Sequence, residues 1–196
     1  MSAPSIEDRP YGLMAPPIVQ KIHMKPYPSL SSLRTELNQT GRTVLITGAS
    51  AGIGLAIARA YAEASASKII LTGRRHDVLQ EAYSKLSGTF PKTEFIPRVC
   101  DVASAEDSAA LWSSLEADDC FVDVLVLNAA KFGIPKPLLE TGFENTWSLF
   151  EMNVKSLLDF SQRMHKQRNK DQRKKVHNTS RSKFVMVKKI AIINIS

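Results

Sequence analysis

Three glycines, Gly48, Gly52 and Gly54, form the part of this sequence whose spacing best suits ligand binding. They lie in the stretch TGASAGIG, which runs from Thr47 to Gly54 between an apolar run and a helical pattern. A pyrophosphate placed here would meet backbone N–H groups and the positive end of the helix dipole, provided that no Cβ atom blocks its approach. Glycines also end strands and start tight turns, but the flanking Thr47 and Ser50 and the helix that follows favour a phosphate-binding loop.

Two arginines, Arg74 and Arg75, follow the next apolar run, about 20 residues beyond the glycine loop, where dinucleotide-binding proteins select their cofactor. A protein that binds the non-phosphorylated cofactor usually has Asp or Glu at this point, whereas a 2′-phosphate requires cations. Gly73 replaces the acid, and each guanidinium group offers two donors to a phosphate. The sequence therefore predicts NADP, with NADPH preferred over NADH, although an arginine pair at a strand end can also be plain solvated surface.

A parallel sheet is the element that would position these residues. Short apolar runs alternate with helical stretches from Thr43 to about His165, and the runs are TVLIT (43–47), KIILT (68–72), EFIPRVC (94–100) and VDVLVL (122–127). Strands that alternate with helices at this spacing predict βαβ units with helices on both faces of the sheet. The near-continuous Val, Ile and Leu content fits strands that are covered on both sides.

Three of the connecting segments carry helical signals. Residues 55–64 place apolar side chains at helical spacing. Ser104 is a predicted N-cap, and Asp107 three residues later is an acidic variant of the capping box. A further helix is predicted from about Phe143 to His165, with an apolar side made of Trp147, Phe150, Val154, Leu157, Leu158 and Phe160.

Further motifs follow the later strands: Cys100-Asp101-Val102, LNAA (127–130) and MNV (152–154). Together with TGASAGIG and the glycine-arginine pair they occur in the order and at the intervals of the single-domain short-chain dehydrogenase/reductase family, which residues 41–165 resemble. The resemblance implies an α/β fold, a Rossmann-like doubly wound parallel sheet with strand order 3-2-1-4-5. It also implies hydride transfer between NADPH and a carbonyl or alcohol.

The resemblance further implies roles for single residues. Asp101 would face the adenine amino group, and Val102 would line the adenine ring. Asn128 and Ala129 would border the nicotinamide ribose and tie the fourth strand to its neighbour. Asn153, the one catalytic residue implied within this chain, would hold a proton-relay water. The 2′-phosphate would bind Arg74 with help from Arg75, and the pyrophosphate would bind Gly48, Ser50, Gly52, Ile53 and Gly54.

Two departures from the family pattern bear on activity. Leu127 and Ala130 replace an Asn and a Gly of the family's N-N-A-G, which are mild changes. The family's catalysis also needs a tyrosine with a lysine four residues later, and a serine that polarises the carbonyl. The tyrosines here are followed four residues later by Ala15, Ser31, Ser65 and Ser87, so the chain contains no Y-x-x-x-K.

The apolar run IAIINIS (190–196) is the predicted fifth strand. In the family such a strand ends in N-I-S-S or N-V-S-S with the second serine catalytic, so Ser196 would match the first serine. We therefore expect a truncated chain that lacks the C-terminal part of the family fold and both catalytic elements. A C-terminal strand that is complete as it stands is the other interpretation.

The positive charge of the chain belongs to one segment. Residues 162–189 hold eleven Lys and Arg and a single acid, Asp171. The net positive charge of this segment is larger than the +7 of the whole chain, so the remaining residues together are net negative. A basic insertion at about 166–189 is expected inside a dinucleotide-binding Rossmann domain of residues 41–196. It is either a solvated excursion, a poorly bounded stretch of a predicted gene, or a contact for nucleic acid or anionic surfaces.

Composition and termini set broader bounds. With 43% apolar and 23% charged residues the composition is that of a globular protein, which excludes disorder throughout. Residues 1–40 carry six of the ten prolines and are predicted to form an extended arm. A cytoplasmic protein is expected, since no apolar run could serve as a signal peptide or membrane span, and Cys100 and Cys120 fit free thiols. No metal site is expected.

Three hypotheses follow. The first is an NADP-dependent oxidoreductase that is inactive as this truncated chain, whose intact parent would act on a small-molecule carbonyl or alcohol. The second is a non-catalytic dinucleotide-binding or interaction module that uses the basic segment, in which case charge reversal of Arg173, Lys174 and Lys175 should abolish a salt-sensitive association. The third is a fragment that does not fold stably, because its last strand exposes an apolar edge. No membrane partner is expected, nucleic acid is disfavoured, and a homo-oligomer is compatible with the sequence.

Overall fold

The structure is a computed structural model that describes residue 28 and residues 31–133, 136–174 and 183–186. The chain divides into two compact units, Met1–Ser31 and Ser32–Ser196. The first unit lies almost entirely outside the described residues, so the predicted arm stays a prediction for most of its length. Residues 32–40 belong to the second unit and include a short 3-10 turn, Thr35–Leu37.

Five strands form one parallel sheet in the second unit. They are β1 (Thr43–Ile46), β2 (Lys68–Gly73), β3 (Glu94–Val99), β4 (Val124–Leu127) and β5 (Lys183–Met186). Their order across the sheet is β3-β2-β1-β4-β5, and each neighbouring pair is parallel. The predicted doubly wound α/β fold and the order 3-2-1-4 of its first four strands are therefore confirmed.

Helices cover both faces of the sheet. They are α1 (Gly52–Glu63), α2 (His76–Thr89), α3 (Ala105–Ala117), α4 (Leu138–Thr141), α5 (Phe143–Phe150) and α6 (Ser156–Lys174). Because successive side chains of a strand point to opposite faces, each of the strands β1 to β4 contributes to two cores. One core joins Leu45 to Trp112 of α3 and Phe160 of α6, and the other joins Val44 to Ala58 of α1 and Leu79 of α2.

The strand beside β4 comes earlier in the chain than the predicted fifth strand, residues 190–196, which lies outside the described residues. Lys183–Met186 pairs with the full length of β4, with Val124 opposite Lys183 and Leu127 opposite Met186. The four residues KFVM suffice because β4 itself is only four residues long, and their apolar, partly β-branched content suits a strand as well as IAIINIS does. The segment 166–189, expected to be a basic insertion, thus contains the end of α6 and β5, and residues 190–196 lie outside the described part of the chain.

The helix predicted over 143–165 is irregular and longer than expected. A π-helical turn, Glu151–Lys155, separates α5 from α6, and α6 continues to Lys174. This turn carries more residues than an α-helical turn, so it shifts the face that later residues present to the core. The buried residues along the helical stretch are Met152, Ser156, Phe160 and Met164.

The predicted apolar side of this helix is largely wrong, because it combines residues from two different faces. Phe160 is fully buried and Leu157 packs against the core, as expected. The other four residues are exposed to solvent over about half or more of their surface, and they are Trp147 (51%), Phe150 (46%), Val154 (47%) and Leu158 (68%). On α5 the exposed aromatic rings stack on one another, with centroid separations of 6.1 Å for Phe143–Trp147 and 6.3 Å for Trp147–Phe150.

The α-helices of the described chain all lie within residues 31–133 and 136–174. None of the helices found there combines the length and the apolar character that a membrane crossing requires.

Candidate functional site

A cleft of about 310 Å³ opens at the carboxyl ends of β1 to β4. Its position includes the gap between β1 and β4, where the strand order reverses and where open α/β sheets bind ligands. The cleft brings together ten of the predicted cofactor residues: Gly48, Ser50, Gly52, Ile53, Arg74, Arg75, Asp101, Val102, Asn128 and Ala129. Residues from four separate loops thus converge on one surface.

The glycine loop between β1 and α1 leaves open space on one side and is tightly packed on the other. Gly48 and Gly52 have φ angles of +66° and +55°, in the left-handed region that favours glycine. A Cβ atom added at Gly52 would meet nothing within 4 Å, whereas one added at Gly54 would lie 2.1 Å from the Gly48 carbonyl oxygen. Gly54 therefore does not line the cleft but lets α1 pack against the loop that does.

Helix α1 begins at this loop. Its N-cap residue Ala51 makes no side-chain cap hydrogen bond, so the first N–H groups of the helix remain available to a ligand. Those N–H groups and the helix dipole suit a negatively charged group, and the missing Cβ at Gly52 lets such a group approach the backbone. The loop therefore fits the pyrophosphate of a dinucleotide.

Thr47 and Asn128 join the ends of β1 and β4 beneath the cleft. The Thr47 hydroxyl oxygen accepts hydrogen bonds from the backbone N–H groups of Asn128 (2.9 Å) and Ala129 (3.0 Å). The Asn128 side-chain amide donates to the carbonyl oxygens of Thr47 (2.9 Å) and Gly48 (3.1 Å). Asn128 thus ties the fourth strand to its neighbour, as expected. In the sequence Thr47 is only a residue that flanks the glycine loop, and its hydrogen bonds to Asn128 and Ala129 were not predicted.

The arginine pair lies at the opposite side of the cleft, after β2. Gly73 is buried against Ser50 of the glycine loop, and a Cβ atom added there would lie 3.1 Å from the Ser50 hydroxyl oxygen. Arg74 and Arg75 follow at once and are exposed to solvent. Two guanidinium groups are therefore free to turn toward an anion bound near Ser50.

Asp101 and Val102 occupy the loop between β3 and α3. Val102 is buried in the core, whereas Asp101 is partly exposed at the cleft. Asp101 Oδ1 accepts a hydrogen bond from the Ala103 N–H (3.0 Å), and its carbonyl oxygen accepts one from the Ser104 N–H (2.9 Å). The predicted cap of α3 is confirmed, since Ser104 Oγ accepts from the Asp107 N–H at 3.1 Å.

Asn153 lies apart from the predicted cofactor residues, in the π-helical turn. Its Oδ1 accepts from the Lys131 N–H (2.9 Å), and its Nδ2 donates to the Lys131 carbonyl oxygen (2.8 Å). It therefore connects the chain beyond β4 to the helix. The preceding Met152 does line the cleft, a role that the MNV motif alone does not indicate.

Tyrosine and cysteine side chains are the candidates for a group that takes a proton during catalysis, and the structure describes Tyr61, Tyr83, Cys100 and Cys120. Tyr61 and Tyr83 pack against the core of α1 and α2 rather than in the cleft, and burial raises the pKa of Tyr61. Cys100 does line the cleft, but burial, reinforced by the carboxylates of Asp107, Asp101 and Asp159, raises its pKa to about 12. Tyr61 and Cys100 are therefore protonated at neutral pH and cannot act as bases there.

The known proteins that this chain resembles are described as dehydrogenases. The sequence profile of a family described as short chain dehydrogenase matches residues 42–184. The chain is 33% identical over 130 residues to a short chain dehydrogenase/reductase of Claviceps purpurea, a match that covers 66% of this chain and 43% of that protein. It is also 33% identical over 116 residues to a probable NADP-dependent dehydrogenase of Haemophilus influenzae, covering 59% and 44% respectively.

A solved structure agrees with these relatives. L-sorbose reductase from Gluconobacter frateurii, in complex with NADPH and L-sorbose, superimposes with a TM-score of 0.62 and 28% sequence identity. The match covers 68% of this chain and 50% of that enzyme. The chain thus spans about half the length of the proteins it matches.

Proposed function

This chain belongs to the short-chain dehydrogenase family, and we propose on that basis that its cleft binds NADP(H) as the cofactor half of an oxidoreductase. The reaction of the whole protein is hydride transfer between NADPH and a small-molecule carbonyl or alcohol. The observation that carries the proposal is the convergence of the glycine loop, the arginine pair and Asp101 on one cleft. NADPH, when bound, supplies the hydride, and the residues described here supply its binding and orientation.

Each wall of the cleft has a part in this binding. The open backbone at Gly52 and the uncapped start of α1 hold the pyrophosphate. The Asp101 carboxylate accepts a hydrogen bond from the adenine amino group, and Val102 lines the ring. Asn128 and Ala129, fixed by Thr47, border the nicotinamide ribose.

The preference for NADPH over NADH rests on the residues after β2. The buried Gly73 supplies no carboxylate for the adenosine ribose hydroxyls, and the exposed Arg74 and Arg75 can pair with a 2′-phosphate. The L-sorbose reductase structure, which contains NADPH, is in keeping with this preference.

Turnover requires groups that these 196 residues do not supply. The sequence contains no Y-x-x-x-K, and Tyr61 and Tyr83 lie in a core rather than in the cleft. We propose that Asn153 takes part in the proton relay of a whole protein that includes those groups. The 196 residues alone are then expected to bind NADPH without reducing carbonyl compounds. A cytoplasmic location is also proposed, which the two free, buried thiols of Cys100 and Cys120 support.

Titration of the purified 196-residue chain with NADPH and NADH, followed by nucleotide fluorescence, tests the proposal. Saturable binding of NADPH, tighter than that of NADH, is expected, and no carbonyl reduction should accompany it. Arg74→Ser should weaken NADPH binding by on the order of tenfold while leaving NADH binding nearly unchanged, because only NADPH carries the 2′-phosphate.

Lys92→Ser provides the matched control. It removes the same charge from an exposed position between α2 and β3, outside the cleft, and should leave the affinities for both nucleotides unaltered. Equal loss of NADPH and NADH binding in Arg74→Ser would refute the assigned role of Arg74. Absence of NADPH binding by the parent chain, or carbonyl reduction by it, would refute the proposed function.

A further inference from the structure

The loop that carries Asp101 is held by more than its own turn. Asp107, in the first turn of α3, accepts a hydrogen bond at Oδ2 from the Asp101 backbone N–H at 2.8 Å. The other oxygen of the same carboxylate, Oδ1, accepts one from the Ser104 hydroxyl at 3.2 Å. One side chain therefore joins the start of the loop, its end and the helix.

This bonding differs from an ordinary capping box. There, the side chain three residues into the helix accepts a hydrogen bond from the N-cap backbone N–H. Here the Ser104 N–H donates instead to the Asp101 carbonyl oxygen, and the Asp107 carboxylate reaches back to Asp101 itself. The bonds to Asp101 thus fix its N–H, its carbonyl oxygen and, through the Ala103 N–H, one carboxylate oxygen.

We infer that Asp107 is a positioning residue for adenine recognition, which acts by holding the Asp101 backbone so that its carboxylate faces the cleft. Val102, the next residue, is anchored in the core, so the Asp107 bond fixes the loop on the side that the core does not hold. Among the hydrogen bonds of the described residues, Asp101 Oδ2 takes part in none, which leaves that oxygen for the adenine amino group. The inference rests on the proposed function and adds a residue that lies outside the cleft lining.

The exposed position of Asp107 sets the size of the effect. A single hydrogen bond to an exposed carboxylate contributes modestly, so its loss should loosen the loop rather than unfold the domain. A loop that holds Asp101 less firmly should recognise the adenine amino group less well. It should not change how the pyrophosphate or the 2′-phosphate binds, since those contacts belong to other loops.

The test compares NADPH with its hypoxanthine counterpart, in which a carbonyl oxygen replaces the 6-amino group and cannot donate to Asp101. Dissociation constants for both are measured on the full chain and on Asp107→Ala. The parent chain should bind NADPH more tightly than the hypoxanthine counterpart. In the variant, the ratio of the two dissociation constants should be smaller by about three- to tenfold. Asp107→Asn, which retains an oxygen acceptor for the Asp101 N–H, should keep most of it.

Glu106→Ala is the matched control, because Glu106 lies one residue earlier in the same exposed turn and carries the same charge. It should leave the preference for NADPH intact, since the bonds to Asp101 do not involve Glu106. In an Asp101→Ala background, Asp107→Ala should have no further effect.

Equal weakening of both nucleotides by Asp107→Ala would overturn the inference, because a merely structural role predicts that result. An unchanged ratio at unchanged affinity would overturn it as well. If the parent chain binds neither nucleotide, the proposed function fails and this inference with it, whereas a variant that matches a binding parent removes only the inference.

Discussion

Gly54 shows how little space the start of α1 leaves for a side chain. A Cβ atom there would lie 2.1 Å from the Gly48 carbonyl oxygen and 2.7 Å from the Asn128 side-chain nitrogen. Both neighbours are held by further contacts, since Asn128 donates to the Gly48 and Thr47 carbonyl oxygens. The loop therefore cannot yield at this point without losing the bonds that shape the cleft.

Substitution of Gly54 by Ala should destabilise the chain and weaken nucleotide binding. The added methyl group forces the loop away from α1, at an expected cost of about 1–3 kcal/mol in the free energy of unfolding, measured by urea denaturation. Gly88→Ala in α2 is the control, since a Cβ atom there meets nothing within 4 Å. That change should be neutral or stabilising by up to about 1 kcal/mol. Equal stabilities for the two variants would contradict this account.

At the residue scale, the sequence predicted what depends on local spacing. Sequence spacing predicted the positions of three features, because each lies at a fixed distance from the start of a strand or helix. These features are the glycines, the arginine pair and the Ser104 cap. Thr47 could not be assigned its role, because its hydroxyl group bonds residues 81 and 82 positions later in the chain. Nothing in the sequence around Thr47 specifies that partner.

At the scale of elements, the stretch from α5 to α6 shows that helical periodicity does not always predict which side of a helix is buried. At a period of 3.6 residues Trp147 and Phe160 lie about 140° apart around a helix, so they do not share one side; the first is 51% exposed and the second is fully buried. Two apolar stripes at helical spacing run along this stretch, and the sequence does not tell which of them faces the core. The exposed stripe holds Trp147, Phe150, Val154 and Leu158, and the buried stripe holds Met152, Phe160 and Met164. The strand beside β4 shows a related limit, because composition favours a strand both at 183–186 and at 190–196 but does not tell which of the two runs pairs with β4.

The two aromatic residues should respond very differently to truncation. Phe160→Ala removes a ring that packs edge-on against Trp112 at a centroid separation of 6.1 Å, so it should cost about 3–5 kcal/mol in the free energy of unfolding. Trp147→Ala removes a half-exposed ring of the stacked aromatic row and should cost less than about 1 kcal/mol. Chemical denaturation of both variants measures the difference, and a larger cost for Trp147→Ala would show that the phase of the helix is misassigned.

At the scale of the whole molecule, the burial of thiol and phenol groups should make the fold less stable at alkaline pH. Burial raises the pKa of Cys100 from 9.0 to about 12, and it raises the pKa values of Cys120 and Tyr61 as well. Each group holds its proton more tightly in the folded chain than in the unfolded one. Their contribution to stability is therefore complete below the pKa of the unfolded group and is lost as pH rises toward the pKa of the folded group.

The free energy of unfolding should accordingly fall as the pH rises from 9.0 toward 12. For Cys100 the slope is at most about 1.4 kcal/mol per pH unit. Cys100→Ala should reduce that slope, while Cys120 and Tyr61 leave part of it in place. Urea denaturation at a series of alkaline pH values measures both slopes, and identical slopes for the parent and the variant would exclude Cys100 as a source.

The hydrogen bonds that join β1 to β4 also set the order in which the molecule can form. Asp123 accepts from the Thr43 N–H 80 residues away, and the Thr47 hydroxyl group bonds residues 126, 128 and 129. Such distant contacts close a long loop of chain and are slow to form. While the chain emerges from the ribosome, the side of the cleft formed by Asn128 and Ala129 is missing until β4 and these residues have been synthesised. The proposed nucleotide binding is therefore expected late in folding, and its onset during synthesis would report that β1 and β4 have paired.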